Sequence, residues 1–494
     1  MEFQEIKHKG ITGVMWSITG KFSIHLVTFG VSIILARLLS PADFGLVSMA
    51  MVFVYFTQTF MDFGLTSAVI QKKDPTETQL STVFYISVIL GSCLMLLMII
   101  FAPAIGRYYN NPEVGKIARF VSYSFIILAL SGLQRALMSK RLEIKTLAVI
   151  NIVTALVQGT SGVILAFSGF GAWSIVYSNF LGSAAATIIL WVKSSWRPKF
   201  LFNLLEIKDM FFFGFKMFLA GWLNAIYVKI DEMLIGKIFN AATLGYYFRS
   251  KSFNNLIVSY SSEGLSTIFF PVMSHLQDDL EKANRVITKS LEMVCFLVFA
   301  LTGILYLDAK SLIVILFGAK WLPSVQYFQI LAFMAYAYPV SIILVNVLSG
   351  MGKAGKFLIL EIFKKAVGLS GMCVGFIWGI YGFLWALVIT GTIGVVLNMW
   401  YVQKTTGLSL KTSIFTVVKY AVPAFICAFI IWFFNLYLSH NLWLVNLPHN
   451  LYLWFLLVVN TILFSGLYIL FNFAVKTNGF IYIKDIVIKK LWKK

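Results

Sequence analysis

Fourteen runs of about twenty mostly apolar residues follow one another along this chain, joined by short polar connections. They fall at roughly 12–38, 43–69, 80–105, 117–138, 146–168, 172–192, 209–236, 242–271, 286–307, 321–349, 357–378, 381–402, 414–438 and 450–474. At 1.5 Å per helical residue such a run crosses a bilayer core of about 30 Å. In hydrocarbon each backbone N–H and C=O must be satisfied within the segment, so these runs are expected as helices. The expected fold class is an all-α polytopic membrane protein with 14 transmembrane helices. Charged residues make up 12% of the chain, against about a quarter in a soluble domain. No connection is long enough for a folded extramembrane domain.

Lys and Arg outnumber Asp and Glu by 40 to 20. Their placement explains the excess. One set of loops holds Lys72, Lys73, Arg135, Lys140, Arg141, Lys145, Lys193, Arg197, Lys199, Lys208, Lys282, Arg285, Lys289, Lys353, Lys356, Lys364, Lys365, Lys404 and Lys411, and both chain ends join that side. The opposite loops hold few, among them Arg107, Lys116, Arg119, Lys310 and Lys320. Cytoplasmic loops collect basic residues, so both termini are expected in the cytoplasm. No basic-aromatic nucleic-acid module is present, and no nucleic-acid partner is expected. The first apolar segment is too long for a cleaved signal peptide and is interrupted by Lys21 and His25. Cys93, Cys295, Cys373 and Cys427 lie far apart inside apolar runs, as small core residues rather than metal ligands or a disulfide framework. No metal cluster, cofactor motif or P-loop is found.

The chain repeats itself. LARLLSPADFG at 35–45 aligns with IGKIFNAATLG at 235–245, a shift of 200, and GLTS at 64–67 aligns with GLST at 264–267. Gly182 and Trp191 recur as Gly391 and Trp400. Two copies of six spans face the same way, which predicts two pseudo-symmetric six-helix lobes related by an axis along the membrane normal. The expected organisation is an N-lobe over 1–200, a C-lobe over 201–410, and two further spans with a basic cytoplasmic tail over 411–494.

Charges inside the spans point to function. A charged residue at mid-span costs roughly 2.5–3.5 kcal/mol on insertion scales, so it is expected to pair or to face a wet cavity. In FKMFLAGWLNAIYVKIDEMLIGKIF, at 215–239, Lys229, Asp231 and Glu232 stand within one span. Lys229 and Glu232 are three apart, on one helix face, and can pair. Ser17, Lys21, His25, Thr28 and Ser32 form a stripe on span one; Tyr55, Gln58, Thr59 and Asp62 form one on span two; Arg249, Ser252, Ser259, Glu263 and Ser266 form one on span eight. Spans nine to fourteen are expected to carry almost no charge beyond their ends. The competing readings are plain ones: Arg37, Lys237 and Asp43 as boundary residues, Asp231 in helix packing, and Lys229–Glu232 as a structural pair.

The stretch MWSITGKFSIHLVTFGVSIILARLLSPADFGLVSMA, with MDFGLTSAVIQKKD after it, resembles the N-terminus of Wzx-type polysaccharide flippases of the multidrug/oligosaccharidyl-lipid/polysaccharide exporter superfamily. LQRALMSKRLEIKTLA at 133–148 and SGFGAWSIVYSNFLG at 168–182 extend the match, nearest the colanic and teichuronic acid branch. The resemblance implies two six-helix lobes plus two extra helices working by alternating access. It implies translocation of undecaprenyl-pyrophosphate-linked oligosaccharide across the cytoplasmic membrane, with membrane lipids and the polysaccharide polymerase machinery as partners and no enzymatic activity or cofactor. By position in the early lobe helices, Lys21, Arg37, Lys229, Arg249 and Lys251 fit its substrate-binding cavity cations. His25, Asp62, Asp231, Glu232 and Glu263 are candidates for ion coupling or for pairing with those bases. The alternatives are a multidrug/cation antiporter of the same superfamily, a peptidoglycan lipid-precursor flippase, a membrane polymerase or ligase, and a passive scaffold in capsule assembly.

Overall fold

The computed structural model describes residues 3–62, 64–439 and 448–491. Among these residues the regular elements are helices. In chain order they are α1 Phe3–Leu38, α2 Pro41–Asp62, α3 Leu65–Gln71, α4 Glu77–Tyr108, α5 Pro112–Val121, α6 Ser124–Lys140, α7 Ile144–Phe167, α8 Ala172–Lys193, α9 Lys208–Ile238 and α10 Ala241–His275. They continue as α11 Leu280–Leu307, α12 Ala309–Phe317, α13 Ser324–Ala332, α14 Ala337–Gly350, α15 Ala354–Gly375, α16 Gly379–Thr406, α17 Leu410–Ser439, α18 His449–Ala474 and α19 Asn478–Leu491. Eleven described stretches are long and apolar enough to cross a membrane. The chain divides into two compact units, Met1–Phe248 and Arg249–Lys494, with the boundary inside α10.

Local chemistry sets the helix ends. Thr76 and Gln79 close a capping box on α4, each side chain bonding the other's backbone N–H. Asn111 caps α5 with Pro112 next to it. The repeat is visible in these ends. α1 stops at Leu38 and α2 starts at Pro41, while α9 stops at Ile238 and α10 starts at Ala241, the same shift of 200. Ser40 Oγ accepts from the Asp43 N–H at 3.3 Å, and Asn240 Oδ1 accepts from the Thr243 N–H at 2.8 Å, so equivalent residues cap both copies.

In the first unit α2 and α9 run antiparallel along their whole length. Their contacts descend in order: Gly45 at Ala241, Met49 at Gly236, the Tyr55 ring at Lys229, the Phe60 ring at Trp222, and Gly64 at Gly214. Glycines allow backbone-to-backbone approach at both ends; a Cβ on Gly64 would fall 2.3 Å from the Gly214 carbonyl oxygen. The motifs that carry the family resemblance also touch here. Asp43 Oδ1 accepts from the Ala172 N–H at 3.1 Å, tying the start of α8 to the start of α2. Lys140 Nζ reaches the carbonyl oxygens of Val69 and Lys72, where α3 ends, and Arg141 bonds Ser195 Oγ at 3.0 Å.

In the second unit α11 is the central helix. Its Phe296 and Phe299, with Val340, Leu344, Tyr420 and Tyr468 from α14, α17 and α18, belong to one buried cluster. Large apolar side chains elsewhere point outward, such as Ile100 at 73%, Val192 at 73% and Ile377 at 75% exposure. In water such faces would be adhesive patches; against lipid chains they cost nothing. Cys295 and Cys427 are buried, whereas Cys93 and Cys373 are exposed, so the reading of all four as core residues holds for two.

Candidate functional site

The charges of α9 lie at the middle of the α2–α9 interface. Tyr55 is ten residues from Gly45 and nine from Gly64, about 15 Å and 14 Å along the helix. The interface is therefore about as long as a hydrocarbon core is thick, and Lys229 stands near its centre. Lys229 Nζ lies 2.8 Å from both carboxylate oxygens of Glu232. The Glu232 side chain is 3% exposed and that of Lys229 is 22% exposed, so the carboxylate is the more deeply buried partner. The Tyr55 ring centre is 5.8 Å from Nζ. Asp231 is buried and points to other partners: the Tyr247 hydroxyl of α10 donates to Oδ2 at 2.5 Å, and the Glu232 backbone N–H donates to Oδ1 at 2.8 Å. Two adjacent buried carboxylates thus take different partners, Glu232 the Lys229 ammonium and Asp231 the Tyr247 hydroxyl. Three-residue spacing dictates the first pair. Tyr247 lies one helix later, and no local pattern announced it.

The remaining candidates scatter. Lys21 and Arg37 are both exposed on α1, sixteen residues or about 24 Å apart, too far to grip one diphosphate together. His25 is half-buried one turn from Lys21. Arg249 is buried, its guanidinium 4.6 Å from the Phe317 ring centre and 5.0 Å from that of Trp321. Lys251 is half-buried. The side chains of Asp62 and Glu263 lie outside the described residues. Two boundary readings are specified by contacts: Asp43 joins α2 to α8, and Lys237 bonds the Tyr108 carbonyl at 2.5 Å with its ammonium 4.8 Å over the Tyr108 ring.

The expectation of almost no charge inside the later spans is corrected by the second unit. Glu292 of α11 is buried and meets Lys419 of α17 at 3.4 Å and Asn478 Nδ2 at 3.1 Å. Lys364 of α15 pairs with Glu361 and also bonds Asn398 Oδ1 of α16 at 3.1 Å. Asp308, just past α11, is buried and accepts from Asn460 and Thr461 of α18 at 3.0 Å each. In sequence such residues resemble span ends, because the helices that Lys364 and Glu292 bond across to lie 34 and 186 positions away. An apolar cavity of about 560 Å³ opens beside α11, lined by Phe299, Tyr306, Phe333, Phe425, Phe429 and Trp432 among others. Among the described residues no three His, Cys, Asp or Glu gather as metal ligands.

Known proteins resemble this chain in sequence and in fold. A relative from Klebsiella pneumoniae, an uncharacterized membrane protein in the cps region, is 28% identical over 77% of this chain and 80% of its own. The lipopolysaccharide biosynthesis protein WzxC of Escherichia coli K12 is 24% identical over 78% of this chain and 80% of its own. In fold the chain is similar to the lipid II flippase MurJ in an inward closed conformation, with a TM-score of 0.74 at 15% identity, over 94% of this chain and 99% of that one. The family described as "Polysaccharide biosynthesis protein" matches residues 34–326. That match takes in α2, α9 and their buried charges and covers more than half of the length, and the chain belongs to this family of multi-pass membrane proteins, as its resemblance to Wzx-type polysaccharide flippases anticipated.

Proposed function

We propose that this protein is a flippase that carries polyprenyl-pyrophosphate-linked oligosaccharide repeat units from the inner to the outer leaflet of the cytoplasmic membrane, for surface polysaccharide synthesis. The observation that supports it most directly is the Lys229–Glu232 pair, with Asp231 beside it, halfway along a membrane-length helix interface in a member of this family.

The barrier to be lowered is physical. Each sugar hydroxyl taken unpaired into hydrocarbon costs several kcal/mol, so an unassisted head group does not cross. A hydrated path lined by polar helix faces removes that cost. Lys229 supplies a cation for the diphosphate, and Glu232 holds it in place until then. A carboxylate and a phosphate present similar oxygens to an ammonium, so substrate displaces Glu232 by exchange and no bare charge is created. Outward movement of an anion across an inside-negative membrane gains about 2.3 kcal/mol per charge per 100 mV.

The architecture belongs to the same reading. Lys208–Ile238 and Ala241–His275 have 31 and 35 residues, enough to span, and the stretch Phe357–Thr406 holds two helices. On this reading they and the other apolar stretches are the fourteen spans, with both termini cytoplasmic and sequence-repeat boundaries near 200 and 410. Lys21, Arg37, Arg249 and Lys251 would act along the path at separate stages rather than in one site. The enzyme that polymerises flipped units is the expected downstream partner.

The test is deletion of the gene in its host, with mass spectrometry of polyprenyl-linked glycans and a parallel assay of surface polysaccharide. Accumulated complete repeat units with lost surface polymer are expected. Unchanged lipids in a strain newly sensitive to organic cations would replace this reading with a drug antiporter.

A further inference from the structure

Helix α18 lies antiparallel against α11, and their contacts form a second ladder. From one end to the other, Glu292 meets Asn478, just beyond α18. Phe296 stacks on Tyr468 at 5.4 Å. Gly303 meets Phe464, whose ring would clash with any Cβ there. Asp308 meets Asn460 and Thr461. Each end of the ladder therefore carries a buried carboxylate. They are treated differently. Glu292 has the Lys419 ammonium at 3.4 Å. Asp308, 1% exposed, has among the described residues only neutral donors: the Asn460 amide and the Thr461 hydroxyl, each at 3.0 Å.

Other charged groups around Asp308 do not make up the difference. Lys310 is exposed, Lys320 lies beyond the far end of α12, Arg249 sits over Phe317 at that same end, and His449 opens α18 eleven residues before Asn460. Among the described residues none of Lys310, Lys320 and Arg249 forms an ion pair with Asp308. Burying an ionised carboxylate with no counter-charge costs several kcal/mol even after relaxation. A second observation points the same way. Asn460 is 2% exposed, and its Oδ1 is buried with no hydrogen-bond partner. An amide has one donor end and one acceptor end. Here the donor end serves Asp308 and the acceptor end is left over. One monovalent cation answers both needs: it neutralises the carboxylate and, with the amide turned over, takes Asn460 Oδ1 as a further partner. Carboxylate, amide and hydroxyl oxygens are the donors a hard cation selects, and a proton on Asp308 would bind the same amide oxygen.

We propose that Asp308, Asn460 and Thr461 form a monovalent-cation site, taking Na+ or a proton, whose occupancy fixes the Asp308 end of α18 against α11. The site ties the last span, outside the sequence repeat, to the end of α11 within it, and it does not rest on the identity of the transported substrate.

The test uses the purified full chain in lipid nanodiscs, followed by intrinsic-fluorescence melting at constant ionic strength. Two titrations separate the sources: NaCl replacing choline chloride at pH 8, and pH 8 to 5.5 in choline chloride. The wild-type Tm is expected to rise by about 2–5 °C in one of them. Asp308→Asn is expected to lose that rise, while Asp279→Asn, at an exposed helix cap, keeps it. A response to sodium at pH 8 assigns Na+; a response to acid alone, absent in Asp308→Asn, assigns the proton. If Asp308→Asn does not fold, Thr461→Val serves instead and is expected to need at least threefold more cation for the same rise. A wild-type Tm indifferent to both titrations, or a response retained in both variants, overturns the proposal and leaves Asp308 as a clamp between two helices. Because the readout is melting, this failure is separate from any failure of glycan export.

Discussion

A methyl group on Gly45 would fall 1.7 Å from the carbonyl oxygen of Ala241. The relationship is reciprocal, since one on Gly245 would fall 1.9 Å from the carbonyl oxygen of Pro41. Gly45 and Gly245 are equivalent in the repeat, as are Pro41 and Ala241. Each glycine thus lets the first turn of its helix abut the first residue of the other copy. Backbone cannot yield as a side chain does, so even alanine must push the two helix starts apart.

Gly45→Ala and Gly245→Ala are therefore each expected to lower stability by about 1–3 kcal/mol. Gly132→Ala, where a Cβ would meet only Thr66 Cγ2 at 3.7 Å, is the matched control and should be neutral. Melting of the three variants in one detergent checks this. Equal Tm values for Gly45→Ala and Gly132→Ala would show that the contact is not close in the folded protein.

The buried pair on α9 predicts a particular non-additivity. Lys229→Met leaves Glu232, with a 3% exposed side chain, as a buried charge without its cation, a loss of about 3–5 kcal/mol. Removing both members of the buried pair in Lys229→Met/Glu232→Met restores charge balance and is expected to recover most of that stability. Surface polysaccharide should stay absent in the double variant, because the diphosphate has lost its cation. Melting and export are read on the same variants. Normal export by the double variant would reduce the pair to a structural role.

These two sites differ in how far the sequence disclosed them. Gly45 and Gly245 stood in the quoted repeat, and the helix ends at Leu38 and Ile238 follow from caps and breakers that are local. Lys229 and Glu232 were legible because three-residue spacing is a property of one helix. Tyr247 was not, since its contact with Asp231 depends on the turn between α9 and α10. Asp308 and Glu292 are hidden in the sequence for a related reason. A carboxylate near a span end resembles a boundary residue until its partner is known, and Asp308 finds Asn460 152 positions later. Periodicity says which face a residue occupies; it does not say which helix covers that face.

Glu292 predicts how the last helix is held. Its carboxylate takes Lys419 at 3.4 Å and Asn478 at 3.1 Å, while the Gly479 N–H donates to the Tyr420 hydroxyl at 2.8 Å. These bonds fasten the start of α19 to α11 and α17. Lys419→Met is expected to strand the Glu292 charge and weaken this attachment by about 1–3 kcal/mol. Limited proteolysis should then remove α19 several-fold faster than in wild type, with the spans intact. Unchanged cleavage would mean that Tyr420 and apolar packing suffice.

Arg249 provides the sharpest separation of charge from shape. Its guanidinium is buried 4.6 Å from the Phe317 ring centre and 5.0 Å from that of Trp321. A planar, weakly hydrated cation tolerates such a place, and the aromatic faces attract it by about 0.5–2 kcal/mol. Lysine keeps the charge but is compact and strongly hydrated, so burial costs it more. Arg249→Lys is expected to lose about 1–3 kcal/mol of stability, close to the loss from Trp321→Leu with Arg249 intact. The pair of changes together should cost less than the sum, because each removes the same stacking contact. A double-mutant cycle by melting measures that coupling. Strict additivity would mean that Arg249 is held by other contacts and that the rings merely fill space beside it.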